Sequence, residues 1–192
     1  AFRQITVECP LRLNFQVNEE RIEQVKEQST FASLSVSKKK GDKALLEVEE
    51  GELMQNKIIK ILKGFDDKPY KNREEFLDVF DKKFKDADLK LPAFLKKAIL
   101  SGLSERDGEA DISKDSKGNP ESDTDLRDTE NVPYGQDIYE YFEKEVKPYA
   151  LDAWIDESKK DHKDGLVGRV GYEIPVTRYF YQYEPPRALE EI

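Results

Sequence analysis

Arg3-Gln4-Ile5-Thr6-Val7-Glu8-Cys9 decides the fold class. Polar and apolar side chains alternate through it with the two-residue period of a half-buried strand. After Pro10 the alternation continues through Leu11, Leu13 and Phe15. A lone strand would leave its backbone N–H and C=O groups unpaired, so this one needs a partner. The candidate partner lies far down the chain, at Val170-Gly171-Tyr172-Glu173-Ile174-Pro175. Between them, most of the chain up to about residue 103 and again over 136–147 has helical spacing. The expectation is therefore an α+β protein, predominantly helical, with a few short strands. Because a strand is already running at Arg3 and the chain opens on Ala1 rather than Met, we expect a C-terminal piece of a longer protein, its strands left from the edge of a larger sheet.

The bulk numbers narrow the function classes. The 192 residues carry 32 Lys and Arg against 41 Asp and Glu, a net charge of -9, and 37% are hydrophobic. That is enough apolar material for a folded core and too much for full disorder. Modules that bind duplex DNA on their own are usually basic, which argues against that role for the whole chain. No apolar run approaches a membrane span, and no signal peptide is visible. The single cysteine, Cys9, can form neither an internal disulfide nor a zinc cage. A cytoplasmic location is the simplest expectation.

Working outward from the first strand, Asn18 is placed to cap a helix over about 19–34, with Ile22, Val25 and Phe31 on its apolar face. Lys38-Lys39-Lys40-Gly41-Asp42 reads as a solvated basic turn. A second helix is predicted over about 44–64, with Leu53, Ile58, Ile61, Leu62 and Phe65 sharing a face and Gly64 at its C-cap. Asn72 caps a third over 73–86, where Phe76, Leu77, Phe80 and Phe84 form a core stripe. Pro92 opens a fourth, with Phe94, Leu95, Ile99 and Leu100 inward, and Gly102 ends it. Large apolar residues then almost vanish. The resulting division is a strand at 1–16, a helical segment at 17–103, an exposed acidic loop at 104–131, and a helix–strand module with an aromatic tail at 132–192. In that last module a helix is predicted over about 136–147.

Catalytic chemistry is hard to find. The protein's one histidine, His162, sits in the hydrophilic run Lys160-Asp161-His162-Lys163-Asp164 and reads as an exposed loop residue. Cys9 has no basic cluster beside it and reads as a small buried hydrophobe. The 104–131 segment fails as a calcium loop: counted from Asp111, the sixth residue is Ser116 where an EF-hand needs glycine. Neither a Gly-x-x-x-x-Gly-Lys-Ser/Thr nor a Gly-x-Gly-x-x-Gly phosphate loop is present. The expected catalytic, cofactor-binding and metal-binding residues are therefore none.

Two long stretches resemble a known family. One is Asp128-Thr129-Glu130-Asn131-Val132-Pro133, continued by Asp137-Ile138, Tyr141-Phe142, Glu145-Val146, Pro148 and Asp152-Ala153-Trp154-Ile155-Asp156. The other is Gly171-Tyr172-Glu173-Ile174-Pro175, continued by Thr177-Arg178-Tyr179-Phe180-Tyr181, Pro185-Pro186-Arg187 and Leu189-Glu190-Glu191-Ile192. Together they resemble the C-terminal part of the modification subunit of type I restriction–modification systems, an adenine-N6 DNA methyltransferase. Pro10-Leu11-Arg12-Leu13-Asn14-Phe15-Gln16 resembles the segment closing that subunit's methyltransferase domain, and Leu103-Ser104-Glu105-Arg106-Asp107 also fits. The likeness covers 1–30 and 103–192 and is weak in the helical middle. Val176 and Tyr149 stand where the family suggests Phe and His, and 157–169 is longer than usual.

The resemblance implies a bacterial parent that binds S-adenosylmethionine and methylates adenine, using an Asn/Asp-Pro-Pro-aromatic motif and a glycine-bearing cofactor loop. Neither lies here: Glu184-Pro185-Pro186-Arg187 begins and ends with the wrong residue types. It implies no cofactor in this part of the subunit. The expected partners are the specificity subunit, DNA through the assembled complex, a restriction subunit as a further candidate, and no membrane. For a partner interface the candidates are Arg178, Tyr179, Tyr181, Tyr183 and Arg187, since Tyr and Arg are enriched at hot spots. In a strand, alternate members of that set would instead face the core. Lys38, Lys39 and Lys40 are candidates for an auxiliary contact to the DNA backbone.

Overall fold

The computed structural model describes residues 1–37 and 40–174, and the chain mixes α and β structure in two compact units. One is the continuous segment Pro10–Asp123. The other joins Ala1–Cys9 to the chain from Thr124 onward. The expected boundaries at 16, 103 and 131 are not where the units divide.

The continuous unit is helical. A short two-stranded sheet sets Leu13–Phe15 (β2) antiparallel to Ser104–Arg106 (β3), with Asn14 opposite Glu105. Asn18 caps Glu19–Glu27 (α1), its side chain accepting from the Arg21 N–H at 2.9 Å. The predicted helix does not run through to 34. Gln28 turns extended (ψ 122°), and the chain resumes as Ser29–Ala32 (α2) and a 3₁₀ turn at Ser33–Ser35. Phe31 lies beyond that bend and is buried in the core.

Asp42–Leu62 (α3) buries Gly51, Ile58 and Leu62. Leu53, expected on that face, is 60% exposed. The reason is angular: Leu53 is two residues from Gly51, about 200° around the helix. Gly51 is required, because a Cβ there would stand 1.7 Å from the Leu34 carbonyl oxygen. Gly64 lies two residues beyond the last helical residue, and its N–H bonds the Ile61 carbonyl at 3.0 Å.

Asn72 caps Arg73–Asp86 (α4), accepting from the Glu74 and Glu75 N–H groups. Phe76, Phe80 and Phe84 are buried, with Phe80 stacked on Phe84 at 4.5 Å and Phe76 on Phe15 at 4.9 Å. Ala93–Leu103 (α5) buries Leu95 and Ile99, but Phe94 points out at 60% exposure. Gly102 does not end α5. It lies within it, where the helix presses on Val25 of α1.

The 104–131 segment is not simply an exposed loop. Ala110, Ser113 and Asp123 are buried. Leu11 and Ser113 are stitched to Glu121 by backbone bonds: Ser113 N–H to Leu11 O, Leu11 N–H to Glu121 O, and Glu121 N–H to Ser113 O, at 2.8–2.9 Å. Arg106 grips the buried Asp123 carboxylate at both oxygens, at 2.7 and 2.9 Å. Backbone bonding and a buried ion pair order a stretch that has few large apolar residues.

The second unit is built on Phe2–Glu8 (β1). Asp128–Pro133 (β4) runs antiparallel along one edge, from Phe2↔Pro133 to Val7↔Asp128. Trp154–Ile155 (β5) and Arg169–Gly171 (β6) share the opposite edge, β5 at Val7–Glu8 and β6 at Phe2–Gln4. The pairing expected between the first strand and the one near 170 is thus present, at Arg3↔Val170. Asp137 caps Ile138–Tyr141 (α6), which widens into a π turn at Phe142–Val146, so the helix predicted over 136–147 is shorter and irregular. Ile5, Val7, Val132, Phe142, Ala153 and Ile155 form this unit's core. Among the described residues, no helix is long and apolar enough to cross a membrane.

Candidate functional site

The expected interface residues Arg178, Tyr179, Tyr181, Tyr183 and Arg187 lie outside the described residues, as do Lys38 and Lys39. Lys40 is exposed just before α3. Asp42 opens that helix, and Glu47, Glu49, Glu50 and Glu52 follow within it, so Lys40 does not begin a basic surface.

A cleft of about 650 Å³ in the helical unit lies between the start of α4 and the 111–121 segment. It is polar, lined by Arg12, Arg73, Asp111, Lys114 and Glu121 among others. Most of these groups already answer one another. Arg73 donates to Glu121 at 2.6 Å, Asn72 to Asp111 at 2.9 Å, and Arg12 to the Ala110 carbonyl at 2.6 Å. Asp115 is held below the usual carboxylate range by the Asn119 backbone N–H, which stabilises its charged form. A carboxylate so held stays charged near neutrality.

In the sheet unit the charged groups are likewise structural. Glu8 is buried at 3% exposure, and Arg127 Nε donates to its Oε1 at 2.6 Å. Arg3 pairs with Asp164, and that hydrogen bond, together with the Leu166 N–H, lowers the Asp164 pKa. Asp161 accepts from the N–H groups of Val170 and Lys163, at 2.9 and 2.7 Å, and its pKa is lowered for that reason. These two aspartates shape the loop that feeds β6. His162, between them in sequence, is exposed, as expected, and Cys9 is half-buried against the Ile5–Val7 core. No group of His, Cys, Asp and Glu suited to a metal ion occurs among the described residues.

An S-adenosylmethionine site needs a strand, a glycine-bearing turn and a helix N-terminus whose N–H groups stay open. The nearest approach is β4, Tyr134-Gly135-Gln136-Asp137 and α6. It does not fit. The Asp137 carboxylate occupies the helix start, accepting from the Tyr139 and Glu140 N–H groups at 2.9 Å.

What remains is surface, and its most unusual part is on α3. Leu45, Leu46 and Leu53 are 65%, 59% and 60% exposed. At 100° per residue they cluster on the side of the helix opposite Gly51, Ile58 and Leu62. Asp42, Glu49 and Lys60 fall among them, with Glu50, Glu52 and Lys57 on the flanks, all exposed. Sequence reasoning missed this face by assigning Leu53 to the core. The signal was there: the apolar residues of 44–62 fall on two opposite sides, more than one buried stripe can use.

Comparison with family models, with curated proteins and with solved structures produced no match.

Proposed function

We propose that the chain is the non-catalytic C-terminal part of the modification subunit of a type I restriction–modification system, and that it supports assembly with the specificity subunit during adenine-N6 methylation of DNA. The observation that carries this reading is where the family-like segments meet. Asp128–Pro133, Trp154–Ile155 and the lead into Gly171-Tyr172-Glu173-Ile174-Pro175 all pair with β1. Pro10–Gln16 and Leu103–Asp107 pair with each other as β2 and β3. Arg21 ties that pair down, donating to the Leu103 carbonyl, to Asn14 and to Glu105 at 2.6–2.9 Å. Segments of a known enzyme family that are devoted to pairing and packing support a scaffold role, with methyl transfer carried out by residues outside this chain.

In this reading the methyl donor binds upstream, DNA is reached through the assembled complex, and a restriction subunit can join it. A direct backbone contact by Lys38, Lys39 and Lys40 has less in its favour, given the net charge of -9 and the acidic helix that follows them.

The test is capture of the cognate specificity subunit by this chain, run beside the full-length modification subunit. Capture by both places an assembly surface within these residues. Capture by the full-length subunit alone removes the assembly role from them.

A further inference from the structure

We infer that the surface where the C-terminal half of α3 meets the turn between α4 and α5 is a contact site for a nucleic-acid phosphate backbone. Charge is unevenly placed in this chain. The acidic residues of α3 all precede Leu53, and from Leu53 to Phe65 there is no Asp or Glu. Lys82–Lys97 carries six lysines against two aspartates, although the whole chain has a net charge of -9. The fold brings the two stretches together. Leu89, in the turn, lines two open clefts of about 450 and 370 Å³. Lys57 and Lys60 of α3 line the first, and Lys85, Lys90 and Lys96 the second. Lys96 is committed to Asp81 at 2.5 Å. Lys57, Lys60, Lys85 and Lys90 are exposed, and among the described residues their side chains make no hydrogen bond or ion pair. Against these four stands one further lining carboxylate, Asp88. The acidic start of α1, Glu19, Glu20 and Glu23, lines a different cleft, with Lys63.

Residue type selects the occupant. Lysine is depleted at protein–protein interfaces, whose anchors are Tyr, Trp and Arg. Here the cations are all lysine, and no arginine occurs between Arg73 and Arg106. Lysines are flexible point charges that suit phosphates and lack the planar fork that reads base edges. The contact is therefore to backbone and independent of sequence. That the nucleic acid is DNA rests on the restriction–modification reading; that it is a polyphosphate does not.

The experiment is fluorescence anisotropy of a short labelled DNA duplex titrated with this chain at about 50 mM salt. Four neutralised phosphates predict a log–log salt slope of about -3.6, an affinity about 150-fold lower at roughly 200 mM. Lys57→Gln/Lys60→Gln/Lys85→Gln/Lys90→Gln should bind at least about tenfold more weakly and flatten the slope by about 1 per lysine. The control, Lys114→Gln/Lys117→Gln/Lys159→Gln/Lys160→Gln, makes the same change in net charge at exposed lysines elsewhere and should bind within about threefold of wild type. All eight positions are exposed, so circular dichroism should show wild-type folding in both variants. Equal losses in the two variants would mean that binding follows net charge, and would overturn the site. Absence of wild-type binding would overturn it too, while leaving capture of the specificity subunit as a separate result. Polyglutamate that displaces the DNA charge for charge would reassign the surface to an acidic protein segment. A matched RNA duplex bound more tightly than DNA would keep the phosphate contact, refute DNA as its source, and count against the restriction–modification reading.

Discussion

Gly102→Ala is predicted to destabilise the helical unit although it should favour α5 as a helix. Considered alone, replacing a glycine inside a helix by alanine gains at most about 1 kcal/mol, and Gly102 is in the last turn of α5. At Gly102 the new Cβ would stand 2.7 Å from both Cα and Cγ2 of Val25 and 2.8 Å from its backbone N. Those separations are roughly 1 Å inside ordinary contact. Two of the three atoms are main chain and cannot rotate away, and Val25 is fully buried. Either α1 or α5 must shift, in the packing that anchors the core. Overpacking of this kind costs about 1–3 kcal/mol. With main-chain atoms in contact the upper half of that range applies, leaving a net loss of about 1–2 kcal/mol after the propensity gain. The assay is urea unfolding followed by far-ultraviolet circular dichroism, because α1–α5 all belong to the helical unit. The midpoint should fall with the slope unchanged. Gly108→Ala is the control, since nothing lies within 4 Å of its added Cβ. A Gly102→Ala protein as stable as wild type, or more so, would refute the close-packing account of α1 and α5.

Further outcomes are expected elsewhere. Phe80→Ala should cost about 3–5 kcal/mol, because Phe80 is fully buried, stacked on Phe84 and tilted against Phe76; a loss under 1 kcal/mol in the same urea assay would contradict the core described. Asn18→Ala should remove about 1 kcal/mol by leaving the Arg21 N–H uncapped, measured against Gln28→Ala, whose side chain makes no cap hydrogen bond. Arg127→Ala should destabilise the sheet unit by leaving Glu8 buried without its cation, and adding Glu8→Gln should recover part of the loss; the fluorescence of Trp154, the protein's one tryptophan, reports both. Asp161 and Asp164 have lowered folded pKa values, so their stabilisation is present above the ordinary carboxylate range and is lost as pH falls through the depressed values. Asp161→Asn should therefore flatten the acid limb of Trp154 unfolding, and an unchanged limb would show that these loop contacts do not contribute.

Caps and strong stripes were readable from the residues alone. Asn18 and Asn72 sit just before helical patterns and do cap them, and the Phe76–Phe80–Phe84 stripe is core. Sidedness was harder where apolar residues exceed one stripe. Leu53 and Phe94 fit an inward face by spacing, yet both face out, because Gly51 and Gly102 set the true contact sides through close backbone approach. A glycine that permits contact leaves no hydrophobic signal. β4 was hidden for another reason. Asp128-Thr129-Glu130-Asn131-Val132-Pro133 is an edge strand that buries Val132 alone, so it shows no alternation and is poor in strand-forming residues. The surface on α3 was missed because exposure depends on what packs nearby, and the expected interface was sought in the tail.

The division of the chain also dictates an order of events at the ribosome. β1 precedes its β4 partner, at Val7↔Asp128, by about 120 residues, and β6 comes later still. At about 5–20 residues per second, β1 waits roughly 6–24 s before its first long edge can form. During that interval the whole of Pro10–Asp123 emerges as an uninterrupted, largely helical segment whose contacts are comparatively local. It can fold while β1 still lacks β4, β5 and β6, replacing a long floppy loop by a folded insert. Synthesis thus leaves Phe2–Glu8 without these three partners until Pro10–Asp123 has emerged.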